Sequence, residues 1–441
     1  MAPDDRLASL LNLDEGLIGA EVFTDPEIYE REMRDLYGHT WLFLAHESQL
    51  RKPGDFFSTY MGADAVIVAR QRDGGLKAML NACRHRGVRV CRSDEGNQKA
   101  FSCVYHGWTY GLDGALVNVP GYDEFYYSKL DKASWGLVQV RVEVYKGLIF
   151  GCFDWEAESL IDHLGDMAPY LDCLVDRRDG GTEVVAGVHK IYMKGNWKLA
   201  AEQLAGDTYH TAITHASAFS IRQTDGGAAR AANRREGRQF SSDRGHGVAG
   251  FSLSNEGDIA TMSAEGADPV LTEYFERIGL ETEQRLGKAF AQGPTRTAGL
   301  VFPNLGYFAG GIGSTYIGVF HPKGPDRFEW WRWCLVDSAA SPEEKAKMIS
   351  ANAVWPFSLG DADDGENWSE LQRNLVGPQS RSQKLNYSMG IGYERDDDPD
   401  FPGRINYQTF SEMPQRGFYR RWLECLNRYD PSSVEPEALP K

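Results

Sequence analysis

The sequence predicts an α+β protein in which short β-strands, from Trp41 to about Trp155, stand between segments that carry helices and a second, larger set of strands. Three observations predict this. Runs such as Ala65-Val66-Ile67-Val68-Ala69 and Val138 to Phe153 are broken by the turn sequences Asp73-Gly74-Gly75 and Asp113-Gly114. Cap-and-proline signatures open helices on both sides of that stretch. A chain of 441 residues, 42% hydrophobic and 12% aromatic, can fill more than one core, so two domains are expected.

The elements follow in order. Thr24-Asp25-Pro26-Glu27 supplies a capping residue, a proline at the first helical position and a capping-box glutamate, and Ile28, Met33, Leu36 and Tyr37 form an apolar stripe that ends at Gly38. Beyond the β-rich stretch, Leu160 to Leu174 reads as helix, Val184 to Lys194 as strand, and Gly195 to His215 as one long Ala-rich helix. Residues 222–247 are rich in Gly, Ala, Arg and Ser without an apolar period and read as a long loop or lid. Leu300 to Phe308, Tyr316 to Phe320 and Phe328 to Val336 read as strands of the larger sheet. Ser341-Pro342-Glu343-Glu344 opens a helix that runs to about Trp355, and the tail from Asp430 reads as frayed.

Charge and composition exclude several classes. With 47 basic against 63 acidic side chains, the net charge of -16 opposes a nucleic-acid partner. No run reaches the roughly 18 apolar residues that would span a bilayer, and Met1 to Leu10 lack a basic start followed by an apolar stretch, so a cytoplasmic, membrane-free location is expected. Seven scattered cysteines are an odd count and do not form a disulfide framework. Gly311-Ile312-Gly313-Ser314-Thr315-Tyr316 lacks the last glycine of a dinucleotide fingerprint, so no nicotinamide site is expected.

Two sets of residues carry chemistry. Cys83-Arg84-His85 and Cys103-Val104-Tyr105-His106 bring two sulfurs and two imidazoles from two loops, each followed by a glycine, Gly87 and Gly107, that permits a tight turn. Such a set suits zinc or an iron–sulfur cluster. The single residue within the first pair is tighter than the spacing of usual structural zinc sites, whereas two bridged irons can take Cys83 and Cys103 on one metal and His85 and His106 on the other. The second set is Gly206-Asp207-Thr208-Tyr209-His210 with His215. On a regular helix Asp207 and His210 share a face, but His210 and His215 lie about 140° apart, so they can share an ion only where the helix ends, kinks or widens.

Asn81-Ala82-Cys83-Arg84-His85-Arg86-Gly87 and Ser102-Cys103-Val104-Tyr105-His106-Gly107-Trp108 resemble the Rieske box of aromatic-ring-hydroxylating dioxygenase large (alpha) subunits, of the naphthalene and biphenyl dioxygenase kind. Asn196-Trp197-Lys198-Leu199-Ala200-Ala201-Glu202, with Asp207, His210 and His215, resembles the mononuclear-iron motif of the same oxygenases. The resemblance implies an all-β Rieske iron–sulfur domain, residues 41–157, inserted into a larger helix-grip-like α+β catalytic domain with an antiparallel sheet, residues 1–40 and 158–441. It implies a Rieske [2Fe-2S] cluster on Cys83, His85, Cys103 and His106, and a mononuclear Fe(II) on His210, His215 and a carboxylate from the segment Asp363-Asp364-Gly365-Glu366. Register makes Asp364 that ligand, with Asp363 as the alternative. Asp207 is implied to hydrogen-bond His210 and also His106 of the partner subunit, and Gln203 departs from the asparagine often found there.

The implied activity is that of a terminal oxygenase, which activates O2 at the mononuclear iron and adds both atoms to an aromatic ring as a cis-dihydrodiol. Electrons are implied to come from a ferredoxin and/or an NAD(P)H-dependent reductase, and the assembly to be a homotrimer of large subunits, with or without a small β subunit in an α3β3 hexamer. A monooxygenase or demethylase of the same fold, a non-catalytic electron carrier and a zinc module are the alternatives. An apolar pocket is expected, walled by Leu204, Thr211 and Ile213 with Phe302 to Phe308 and Val354 to Leu359, and arginines between Arg222 and Arg244 read equally as contacts to a carboxylated aromatic or as a solvated loop.

Overall fold

A computed structural model of the protein describes residues 5–217, 237–251, 268–293, 297–310 and 313–428. The expected loop of residues 222–247 lies outside the described residues as far as residue 236, and so does the tail from residue 430. The chain divides into two compact units, Met1–Arg31 with Ile161–Asn427, and Glu32–Leu160 together with the end of the chain.

In the smaller unit the expected strands form a seven-stranded sheet in the order Leu42–His46, Leu148–Cys152, Gln139–Tyr145, Leu76–Leu80, Asp64–Arg70, Asp55–Met61, Glu95–Asn97. A second sheet of three short strands, Leu116–Asn118, Thr109–Gly111 and Ala100–Ser102, accompanies it. Strand Asp64–Arg70 is buried from Val66 to Ala69, which explains its continuous apolar run. Phe56, Ile67 and Met79 of the large sheet pack in one core with Phe101, Tyr110 and Leu116 of the small one, and Cys83, Cys103 and Trp108 belong to the same core. The two loops that carry Cys83 and His85, and Cys103 and His106, therefore grow out of an apolar base.

The larger unit is built on a nine-stranded antiparallel sheet, in the order Thr182–Lys194, Arg327–Asp337, Thr315–Gly324, Leu305–Ala309, Ala298–Val301, Gly247–Phe251, Arg238–Ser241, Arg404–Asn406, Glu394–Arg395. The run Leu300 to Phe308 is not one strand but two, paired Ala298↔Phe308 through Val301↔Leu305 about a turn that contains the cis Phe302-Pro303 bond. The predicted helix Leu160 to Leu174 is divided at Gly165, whose φ of +45° interrupts the α geometry.

The long helix expected from Gly195 to His215 stops at Gly206. Trp197–Gly206 is helical, Asp207 is extended, and a single turn, Thr211–Thr214, follows. Packing overrides the Ala-rich propensity here. A Cβ on Gly206 would stand 2.6 Å from Pro414 Cγ, so only glycine lets the helix end press against the Met413–Arg428 helix. Gln239 Nε2 donates to the freed Gly206 carbonyl at 2.7 Å, and Thr208 Oγ1 donates to the Thr409 carbonyl at 2.8 Å.

The Ser341 capping box forms reciprocally, with Glu344 accepting the Ser341 N–H and Ser341 Oγ accepting the Glu344 N–H. The helix Pro342–Val354 then widens into a π-helical turn, Trp355–Gly360, before Asp361–Leu375 continues as α-helix. Pro356 cannot donate to the ladder, so the widened turn falls where the sequence ends regular helix.

Candidate metal centres

The two loops of the smaller unit repeat one backbone turn. Cys83 N–H donates to Val88 O at 2.9 Å and Gly87 N–H to Cys83 O at 2.7 Å; Cys103 N–H donates to Trp108 O at 2.8 Å and Gly107 N–H to Cys103 O at 2.9 Å. Gly87 and Gly107 take φ of +76° and +74°, the left-handed geometry that the turn needs. The equivalence points His85 and His106 at each other, with their Nδ1 atoms 3.1 Å apart, and His85 stacks on Trp108 at 5.0 Å. Burial, then the neighbouring His106 and Arg86, push the His85 pKa down, which favours the unprotonated nitrogen that a metal needs. Both cysteines are buried, and all seven cysteines are free thiols.

Two neighbours escaped the sequence reading. The Tyr110 hydroxyl lies 3.3 Å from Cys83 Sγ, and the Asn81 side chain clamps Cys91 through its N–H and its carbonyl. Reciprocal backbone clamps of that kind leave no periodicity in a sequence, so only the fold reveals them.

In the larger unit the break at Gly206 brings the second set together. Among the described residues, His210, His215 and Asp364 form the one group of three or more Cys, His, Asp or Glu side chains whose donor atoms all lie within 4.8 Å of one another. Asp364 Oδ1 stands 3.5 Å from Nε2 of both His210 and His215, and it is buried without a hydrogen-bond donor. A buried acceptor left in that state is what a metal ion would satisfy. Cys83, His85, Cys103 and His106 offer two thiol and two imidazole donors, the set that a bridged pair of irons takes two to each metal.

Each histidine turns its other nitrogen to a second carboxylate. His210 Nδ1 lies 3.2 Å from Asp207 Oδ2, and His215 Nδ1 lies 3.1 Å from Asp363 Oδ2. Asp363, the alternative ligand in the sequence reading, thus stands behind His215 while Asp364 faces both Nε2 atoms. Asp207 Oδ1 also accepts the N–H groups of Tyr209 and His210, at 2.9 and 3.1 Å. Burial works against the Asp207 charge, but the His210 contacts outweigh it and hold its pKa below the ordinary value. At Asp364 burial prevails over the attraction of both histidines and raises the pKa. Such a carboxylate gains from a bound cation.

Beneath the carboxylates, the buried Arg332 guanidinium pairs with Asp361, the first residue of the helix that carries Asp363 and Asp364. The ring of Phe357 lies 4.3 Å from that guanidinium and 5.7 Å from the Tyr316 ring, which in turn stacks on Phe308 at 5.6 Å. Of the expected pocket walls, Leu204 is buried against the strand at Gly306 and Phe302 against Phe418, whereas Ile213 is 82% exposed and so closes no cavity within this chain.

Comparison with known proteins finds a family match for each of two stretches of the chain. Residues 40–142 match the Rieske [2Fe-2S] domain, and residues 181–428 match the catalytic domain of the ring-hydroxylating alpha subunit. The biphenyl dioxygenase alpha subunit of Paraburkholderia xenovorans (strain LB400) is 37% identical over 98% of this chain and 95% of its own length. The benzene 1,2-dioxygenase alpha subunit of Pseudomonas putida is 38% identical over 96% and 94%. The structure of naphthalene 1,2-dioxygenase with indole bound in the active site superposes with a TM-score of 0.86 at 31% identity, covering 95% of this chain and 94% of that one. Among the described residues no helix is long and apolar enough to cross a membrane. A Rieske domain and a ring-hydroxylating catalytic domain, matched along nearly the full length of dioxygenase alpha subunits, place this chain in the family of Rieske non-haem iron ring-hydroxylating oxygenases.

Proposed function

We propose that the chain is the catalytic large subunit of a dioxygenase that adds both atoms of O2 to adjacent carbons of an aromatic hydrocarbon, giving a cis-dihydrodiol. The observation that carries this reading is the buried, donor-free Asp364 Oδ1 set 3.5 Å from Nε2 of both His210 and His215, in a chain that also presents the Cys83, His85, Cys103 and His106 loops. Cys83 and Cys103 would hold one iron of the cluster and His85 and His106 the other, while His210, His215 and Asp364 would hold the mononuclear Fe(II). When bound, the cluster supplies electrons and the mononuclear iron supplies O2 activation.

The chain's own side chains do the rest. Asp363 accepts the Nδ1 proton of His215, and Asp207 Oδ2 stands 3.2 Å from His210 Nδ1, so both rings turn Nε2 toward Asp364. Phe308, Tyr316 and Phe357 form an aromatic cluster of the kind on which a planar ring rests. The named relatives act on biphenyl and benzene, which favours a one- or two-ring hydrocarbon.

Electrons arrive from a ferredoxin and/or an NAD(P)H-dependent reductase, and the large subunits form a trimer in which Asp207 reaches His106 of the partner subunit, with or without a small β subunit. Exposed apolar side chains next to both centres support a subunit contact: Val104 and Tyr105 beside His106, and Tyr209 and Ile213 beside His210. A cytoplasmic location fits an enzyme supplied by such carriers. The reading is tested by supplying benzene or biphenyl, a reconstituted ferredoxin and reductase, and 18O2. A dihydrodiol carrying two labelled atoms is expected; a product with one labelled atom, or none, overturns it.

A further inference from the structure

Gln203 sits on the last turn of the Trp197–Gly206 helix, facing the metal-binding residues. Its Oε1 accepts the Trp368 indole N–H at 2.8 Å, and its Nε2 lies 3.5 Å from His210 Nε2. Its amide also works against burial at Asp364, lowering a carboxyl pKa that burial raises. The amide orientation is dictated by chemistry: an indole N–H only donates, so the carboxamide must turn its oxygen to Trp368 and its NH2 group to the metal-binding side. Trp368 is itself fixed. It is 4% exposed, and its ring lies 5.7 Å from Trp330 and 5.9 Å from Phe328, both buried on strand Arg327–Asp337. Trp368 also follows Asp364 by four residues in the helix Asp361–Leu375, so the two share a face.

We propose that Gln203, locked by Trp368, is a positioning residue for the metal site: its NH2 group is held against His210 Nε2, on the side where Asp364 Oδ1 faces both histidines, and keeps these ligands in register. The relay needs the full length of glutamine, because one end must meet the indole and the other His210 Nε2. An asparagine carries the same amide one methylene nearer its own helix, so the group no longer reaches the position between both partners. Outer contacts of this type govern how tightly a metal is held.

This inference rests on the assignment of His210, His215 and Asp364 to Fe(II), and the test separates the two. The full-length protein with its oxidised cluster is loaded with Fe(II), and two quantities are read: the Fe(II) dissociation constant by chelator competition, and the electron spin resonance spectrum of the nitric oxide adduct. Trp368→Phe keeps the ring and removes the indole N–H; Gln203→Asn keeps the amide and removes the reach. Each is expected to weaken Fe(II) binding by roughly 10-fold or more and to broaden the nitric oxide signal. The double variant should be no worse than the worse single one, since both break one relay. The cluster absorption should be unchanged, and an unchanged Tm of the larger unit reports that the unit carrying both residues has folded. Wild-type affinity and spectrum in both single variants, or additive losses in the double one, would overturn the proposal. Asp364→Asn is the control: if it retains Fe(II) as wild type does, the metal assignment itself has failed.

Discussion

The Tyr110 hydroxyl accepts the Arg84 backbone N–H at 3.0 Å and lies 3.3 Å from Cys83 Sγ, so its own proton points at the sulfur. A hydrogen bond to a cluster thiolate stabilises the reduced, more negative state and raises the reduction potential. Burial, together with the bond to Cys83, pushes the Tyr110 pKa up, so the phenol keeps its proton through the working range. Tyr110→Phe should therefore make the cluster potential more negative. A neutral hydrogen bond worth about 1 kcal/mol corresponds to roughly 40 mV for one electron. A redox titration checks this, and an unchanged or more positive midpoint would contradict it.

Asp363 and Asp364 are adjacent in sequence yet should behave differently on mutation. Asp363 contacts only the rear nitrogen of His215 among the ligand histidines, while Asp364 Oδ1 faces both Nε2 atoms. Asp363→Asn is expected to retain the mononuclear metal with affinity weakened by roughly 10- to 100-fold. Asp364→Ala should lose it altogether. Metal content after gel filtration, normalised to cluster absorption, distinguishes the two, and equal losses would show that the roles are misassigned.

The ion pair under this site carries a separate prediction. Arg332 is fully buried, pairs with Asp361 and lies 4.2 Å from the Trp330 ring, and its guanidinium also meets His189 Nδ1 at 2.7 Å. Burial nevertheless raises the Asp361 pKa to about 7. Arg332→Met strands Asp361 without a partner and should cost about 3–5 kcal/mol, seen as a lower Tm of the larger unit and loss of bound iron. The swap Arg332→Met with Asp361→Leu removes both charges and should recover most of that stability. A double variant as unstable as the single one would argue against an electrostatic origin.

How far the sequence could be read follows from the range of each signal. Cys83, His85, Cys103 and His106 stand beside glycines whose positive φ is a local property, so the first site was visible as spacing alone. The ligand pair His210 and His215 was legible only as a contradiction, since a continuous helix could not present both. Its resolution lies in Gly206, pressed against Pro414 from more than 200 residues away, and nothing near Gly206 in the sequence announces that contact. Asp364 ranks above Asp363 only by register within the resembling segment, because a run of acids at a helix start is ordinarily a solvated cap. Gln203 stands out in the sequence only as a departure from the asparagine often found there and Trp368 not at all, and their pairing exists only across two helices.

Glu202 gives the pH dependence. Burial raises its pKa to about 8, although the Tyr419 and Tyr387 hydroxyls donate to it, and the charges of Asp207 and Glu412 push in the same direction as burial. The folded protein thus holds a proton on Glu202 at pH values where the unfolded chain, near 4.5, has released it. Between those limits the folded state binds more protons than the unfolded one, so the group weakens stability as pH rises, by about 1.4 kcal/mol per unit. Below the unfolded value the effect vanishes, and above the folded value it is constant. Glu202→Gln keeps a neutral group that can accept from one tyrosine and donate to the other, and it removes the titration. The Tm of Glu202→Gln minus that of the wild type should therefore widen from pH 5 to pH 8, by about 5 °C or more. Parallel Tm curves for the two proteins across that range would show that Glu202 is ionised in the fold.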